Sequence, residues 1–89
     1  MTDDQARTFE ALARGRLIFP FRGELAELRA ESKRGPLTSD EAARLKDLSA
    51  AFDKVKVKDQ WFHSAMLAGD IEAAAKAAEE ALAILEEVA

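Results

Sequence analysis

Residues 38–67 read TSDEAARLKDLSAAFDKVKVKDQWFHSAML, and this stretch decides the fold of the chain. At 100° per residue, its apolar side chains fall on two faces of one helix. The first stripe is formed by Leu45, Leu48, Phe52, Val55, Phe62 and Met66, and the second stripe by Ala43, Ala50, Val57, Trp61 and Ala65. Because a helix with two apolar stripes needs neighbours on both sides, we expect this segment to be the central element of a helical domain.

The start of this helix carries the clearest local signal in the chain. Thr38 is typical of an N-cap residue, and Glu41, three residues later, completes a capping box. Asp40 and Arg44 are spaced to form a favourable pair one helical turn apart. The pattern therefore predicts a well-defined helix start at Thr38.

One segment, KVKVKD at residues 54–59, conflicts with an unbroken helix. Asp59 would lie on the same side as Phe52 and Phe62, and a buried carboxylate without a partner is costly. Either the helix breaks and Asp59 caps a new segment, or Asp59 lies at an end of the core where water reaches it. We favour the first alternative, which predicts a break near Val57.

A second helix-to-helix turn follows at Gly69 and Asp70, where glycine can take a left-handed conformation and aspartate can cap the next helix. The last helix is predicted to run from Ile71 to about Val88. One side of this helix is apolar and is formed by Ile71, Ala75, Ala78, Leu82 and Leu85. The apolar surface is widened by Ala73, Ala77, Ala81, Ile84 and Val88. A surface that covers more than half of the helix predicts more than one neighbour.

This region resembles the second half of a tetratricopeptide repeat. The resemblance rests on the turn at Gly69 and Asp70 and on Ala74, Ala81 and Leu82, which match small and large positions of that family. It covers about twenty residues. The usual earlier glycine and aromatic are replaced by Ala65 and Ala78. Because a peptide-binding solenoid needs several stacked repeats, the resemblance implies helical-hairpin packing only.

The N-terminal part predicts a helix that begins with a capping box at Thr2 and Gln5, reaches about Arg14 and ends at Gly15. Salt bridges between residues four apart are expected on its outer side. Its inward residues are predicted to be Phe9, Leu12 and Ala13.

The run Leu17–Phe21 is the most apolar segment of the chain. Pro20 predicts extended backbone from Leu17 to Phe19 and is itself predicted to open the next helix. That helix is expected to reach about Lys33, before the break at residues 35–36. It should bury Phe21, Leu25 and Leu28. We interpret the run as a buried connector; the alternative is a docking segment rimmed by Arg14, Arg16 and Arg22.

Composition narrows the class of protein. The 89 residues include no cysteine, so disulfides and thiolate metal sites are excluded. The net charge is −4, and the acidic excess lies entirely in residues 45–89. An acidic chain without a basic cluster is a poor binder of phosphate backbones. The acidic start and the lack of a bilayer-length apolar segment favour a cytoplasmic protein.

Few residues suggest catalysis or metal binding. Asp59 and His63 lie one turn apart, and Asp70 could join them across a subunit boundary, but two or three such groups make an incomplete site. Trp61 and Phe62 could stack on a base, with lysines nearby for phosphate. Helical spacing already explains both aromatics as packing residues. We therefore expect no cofactor, no metal and no small-molecule ligand.

The sequence predicts an all-α single domain over residues 1–89, a bundle of four to five helices with a long central helix and an antiparallel C-terminal helical hairpin. The apolar faces exceed what one thin monomer can cover, which favours a homodimer or binding to another helical protein. The expected function is a non-catalytic interaction module; the alternative is a nucleic-acid-linked regulator, by direct binding or as an acidic mimic. The partner-binding residues are predicted to be Phe19, Phe21, Val57, Trp61, Ala77, Ile84 and Val88.

Overall fold

The structure of the protein is a computed structural model that describes residues 3–89. Within this range the chain forms four helices and no strand: α1 (Asp3–Arg14), α2 (Arg22–Arg34), α3 (Ser39–Ala68) and α4 (Ile71–Val88). The predicted all-α bundle, with its long central helix and C-terminal hairpin, is confirmed. The capping box predicted for Thr2 and Gln5 rests on side chains that lie outside the described part.

Helix α3 is continuous, so the predicted break near Val57 is wrong. Its 30 residues account for most of the longest dimension of the molecule, 47 Å. Asp59 causes no break because it is only half-buried and lines an open hollow together with Arg16 and Arg22. Water can therefore reach its carboxylate.

The predicted start and end of α3 are confirmed in detail. Glu41 N donates to Thr38 Oγ1 at 3.2 Å, and Thr38 N donates to Glu41 Oε1 at 3.0 Å. Gly69 closes the helix with φ +73°, and Asp70 caps α4 by accepting from Ala73 N at 3.1 Å. These local hydrogen bonds fix the turn of the α3–α4 hairpin.

The predicted pair between Asp40 and Arg44 does not form. Arg44 Nε donates to Glu24 Oε2 at 2.6 Å, and Arg44 Nη1 donates to the carbonyl of Val88. Arg44 thus links α3 to α2 and to the end of α4. The long-range partners outweigh the local one because they also satisfy a carbonyl at the end of α4.

Helix α1 turns a partly different face inward from the one predicted. Leu12 packs against the core as predicted, whereas Phe9 is 65% exposed, Ala13 is exposed and Thr8 is buried instead. The inner face of α4 is made of alanines, so the small side chains of α1 permit closer packing than Phe9 would. The Glu10–Arg14 salt bridge, at 2.7 Å, forms on the outer side as predicted.

Helix α2 begins two residues later than predicted, because Pro20 and Phe21 form a turn and Phe21 occupies the N-cap position. Leu25 and Leu28 are buried as expected, whereas Phe21 is only half-buried. The connector, residues 15–21, has no regular secondary structure from Leu17 to Phe19, and its apolar side chains pack against buried residues of the hairpin.

Helices α1 and α2 and the connector all pack on one face of the α3–α4 hairpin, which we call the front face. It carries the first stripe of α3, and Leu48 and Phe62 are fully buried there. Helix α1 packs on α4, and α2 packs on α3. The opposite face, which carries the second stripe of α3, is called the rear face.

The molecule is more extended than a compact domain of its size. Its radius of gyration is 14.9 Å, whereas about 12 Å is typical of a compact chain of this length. Its accessible surface is 6206 Å², about 1,100 Å² more than the roughly 5,100 Å² expected for a compact monomer. The hairpin therefore leaves a large surface that its own chain does not cover.

Candidate interaction surface

The rear face of α3 exposes large apolar side chains that no other described part of the chain covers. Trp61 is 58% exposed and Val57 is 45% exposed, and Ala43 and Ala50 on the same stripe are exposed as well. Phe62, the next residue after Trp61, is fully buried on the front face. Two adjacent aromatic residues thus mark the two faces of one helix.

Helix α4 forms the other half of the rear face. A shallow hollow of about 230 Å³ runs between the two helices. It is lined by Asp47, Ala50, Ala51, Lys54, Ile84, Glu87 and Val88. Ile84 and Val88 are half-buried in its wall, whereas Asp47, Lys54 and Glu87 make the rest of the wall charged, so the hollow is an apolar seam with charged edges.

Lys58 holds the edge between the two helices together. Its Nζ lies 2.7 Å from Glu80 Oε2, and the same ammonium lies 4.4 Å from the centroid of the Trp61 ring. The hydrogen bond from Lys58 lowers the pKa of Glu80 below its ordinary value. This cation–π contact gives the exposed indole a fixed neighbour, which reduces the side-chain freedom that binding would otherwise remove.

The structure separates the seven predicted partner-binding residues into four groups. Val57 and Trp61 are exposed on the rear face, whereas Ile84 and Val88 are half-buried, line the hollow between the two helices and also pack against buried core residues. Ala77 is only 4% exposed and packs against Phe62, so it contributes spacing rather than contact surface.

Phe19 and Phe21 lie on the front face, in the connector. Their rings meet edge to face at 5.9 Å, and the Phe19 ring also meets Phe52 at 5.3 Å. Both are half-buried by these contacts. The connector is therefore half-buried rather than buried as interpreted from the sequence: Leu17, Phe19 and Phe21 pack inward, whereas Ile18, at 50%, and Pro20 are exposed.

The front face has a gap that the sequence did not reveal. A groove of about 490 Å³ lies between α1, the connector and the second half of α4. Leu82 and Leu85 of α4 reach its floor, and Arg7, Arg14 and Arg16 stand at its rim. The one feature of the sequence that pointed to this groove was the presence of arginines on both sides of the apolar run Leu17–Phe21, which indicated a polar rim.

The residues considered for catalysis are not assembled into a site. His63 is exposed, Asp59 lines the hollow beside Arg16, and Asp70 caps α4. Among the described residues, no three histidine or acidic side chains converge in a way that could hold a metal ion. Within residues 3–89, no helix combines the length and the apolarity needed to cross a bilayer.

Comparison of the chain with profiles of known protein families, with curated proteins and with solved structures gives no match. The functional argument therefore rests on the geometry and chemistry of the two faces.

Proposed function

We propose that this protein is a non-catalytic interaction module whose rear face packs against a helical partner, and that this partner is a second copy of the chain. The observation that carries the proposal is Trp61, the single tryptophan of the sequence, which lies more than half exposed on an apolar stripe. Tryptophan is among the residue types most enriched at the energetic centre of interfaces.

The size of the uncovered surface supports a stable contact. The surface excess of the chain is about 1,100 Å², and a standard interface buries about 800 Å² on each partner. A two-fold dimer through the rear face would therefore bring the accessible surface per chain close to the value of a compact protein. A contact of this size also exceeds a typical transient encounter.

Charge on the rear face favours a second copy over an unrelated helix. Lys58 and Glu80 neutralise each other within the chain, so the charges left for a second copy are Lys54 on the α3 edge and Glu87 on the α4 edge. Each edge carries one opposite charge, Asp47 on α3 and Lys76 on α4. A two-fold axis parallel to the helices places α3 of each copy over α4 of the other, so that unlike edges face each other twice.

Side-chain size is complementary in the same arrangement. Trp61 lies at the level of the small residues of α4, because its neighbour Phe62 packs on Ala74, Ala77 and Ala78. Across the axis, the indole would meet the exposed Ala73 of the second copy. A large side chain opposite a small one permits close helix approach.

Light scattering during size-exclusion chromatography tests the proposal. The wild-type chain should show the mass of two chains at high concentration, and Trp61→Ala should show the mass of one. Phe9→Ala is the matched control, because Phe9 is a similarly exposed aromatic, 65%, on α1. A wild-type chain that stays monomeric throughout, or equal loss in both variants, would contradict the proposal.

Salt dependence tests the orientation of the two copies. Facing edges of unlike charge predict that salt weakens the wild-type dimer. Lys54→Glu places like charges opposite each other, so salt should strengthen the dimer of that variant. The same salt response in both proteins would exclude the crossed arrangement while leaving self-association intact.

A further inference from the structure

The front groove, already located between α1, the connector and the second half of α4, has the size of a small-molecule site. Its volume of about 490 Å³ lies within the range of roughly 300 to 1,000 Å³ that is typical of ligand pockets. Its floor is apolar and consists of Leu17, Phe21, Val55, Ala81, Leu82 and Leu85. Polar groups are confined to its rim.

The groove is short and open on one side. Along α4 it extends from Ala81 to Ala89, which corresponds to about 12 Å of helix. A thin apolar chain can lie along this whole length in contact with the floor.

The rim selects the charge of the occupant. Three guanidinium groups, those of Arg7, Arg14 and Arg16, face two carboxylates, those of Glu10 and Glu86, in a protein whose net charge is −4. Arg14 is bonded to Glu10. Arg16 is exposed and also borders the hollow that holds Asp59, and in the described part of the chain the structure shows no ion pair for it. A negatively charged head group therefore finds a partner at the mouth of the groove.

We propose that the front groove binds a fatty acid, with its single acyl chain on the apolar floor and its carboxylate at Arg16. A single saturated chain is thin enough for the groove, and its methylenes match a floor lined by apolar side chains. The site is independent of the rear face, so this inference stands or falls separately from self-association.

Isothermal titration with octanoate, decanoate and dodecanoate, each below its micelle-forming concentration, tests the apolar half of the site. Each additional pair of methylenes should tighten Kd by about fifteenfold until the groove is full. Titrated methyl spectra should show shifts at Leu17, Val55 and Leu82. Equal affinity for the three acids, or shifts confined to the rear face, would overturn the proposal.

Head-group specificity tests the charged half. Arg16→Gln should weaken dodecanoate binding about fivefold, which is the largest effect expected from the loss of an exposed pair of charges. Arg34→Gln, at the exposed end of α2, is the matched control and should bind like the wild type. Dodecyltrimethylammonium has the same chain and the opposite charge, so it should bind more weakly than dodecanoate. Equal binding of the two amphiphiles would refute the proposed role of the rim.

One variant makes the floor of the groove polar without removing core volume. Leu82→Gln keeps a side chain of similar length on a half-buried position but places an amide on the floor. It should abolish the dependence of affinity on chain length, with helicity by circular dichroism as the check on folding. If an acidic helical peptide binds instead and dodecanoate does not displace it, the occupant is a protein and the fatty-acid proposal fails.

Discussion

Trp61 and Phe62 are consecutive residues of α3 that differ in exposure. Phe62 is fully buried on the front face, whereas Trp61 is 58% exposed on the rear face. The front face is covered by three segments of the same chain, the rear face by none of the described residues. Both stripes have the same helical spacing in the sequence. The comparison shows that periodicity identifies a surface suited to packing, but whether the same chain covers that surface depends on the length and direction of the other elements.

The largest effect is expected from removing the front-face anchor. Phe62→Ala leaves a cavity among Ala74, Ala77 and Ala78, which are too small to fill it, and should cost about 3 to 5 kcal/mol of unfolding free energy. Urea titration followed by circular dichroism measures this loss. Trp61→Ala, measured at a concentration where the chain is monomeric, should cost less than about 1 kcal/mol. A similar loss of unfolding free energy in the two variants would contradict the proposed difference between the two faces.

The next effect concerns the rear face alone. Val57→Glu places a charge in the centre of the second stripe, where the side chain is 45% exposed in the monomer. The monomer should keep its stability within about 0.5 kcal/mol, because water still reaches the new carboxylate. Dimer dissociation should become about thirtyfold easier, a change of roughly 2 kcal/mol, since the charge would be desolvated at the contact. Analytical ultracentrifugation gives the constant; an unchanged value would place the interface elsewhere.

A smaller effect should reach both faces together, because α3 carries both. Thr38→Ala removes the side-chain acceptor for Glu41 N and should cost about 1 kcal/mol of stability. Ser39→Ala, one residue later and outside the capping box, is the control. Urea titration should show the loss for Thr38→Ala only. If Ser39→Ala is equally destabilising, the capping hydrogen bond is not the cause.

The smallest effect is a dependence on pH. The hydrogen bond from the Thr38 backbone lowers the pKa of Glu41, and Lys58 lowers the pKa of Glu80. A carboxyl whose folded pKa is depressed stabilises the fold above its unfolded pKa, near 4.5, and loses this contribution as pH falls through the folded value. Glu31 acts in the opposite direction, because its hydrogen bond to Glu41 and the nearby negative charge raise its pKa.

Thermal unfolding between neutral and acidic pH measures this dependence. Glu80→Gln should reduce the loss of stability on acidification, because the variant has no carboxylate to protonate beside Lys58. Glu79→Gln, an exposed neighbour on α4, should behave like the wild type. An acid response of Glu80→Gln identical to that of the wild type would show that the rear edge contributes nothing to it.

Local chemistry made the ends of α3 and the start of α4 predictable. The capping box at Thr38 and the turn at Gly69 and Asp70 depend on residues within four positions of one another, so the sequence contains all their partners. The same is true of the first stripe of α3, whose spacing alone selects Phe62 and Leu48 as core residues.

The errors arose where the outcome depended on distant parts of the chain. Asp59 does not break α3, because an open hollow beside the connector leaves its carboxylate accessible. Phe9 lies outside, because the alanines of α4 favour the smaller face of α1. The front groove is a gap between three elements, and no single segment of the sequence encodes a gap. The rear face was foreseen as a surplus of apolar surface, but its partner stays a prediction.

The most direct test of the central claim uses Trp61 itself. Since it is the single tryptophan of the chain, its fluorescence reports on the rear face without any label. If a second copy covers this face, emission at high concentration should be blue-shifted and should move to the red on dilution, at the same concentration at which the scattering mass falls from two chains to one. Emission that is red at every concentration, together with the mass of one chain, would contradict the account.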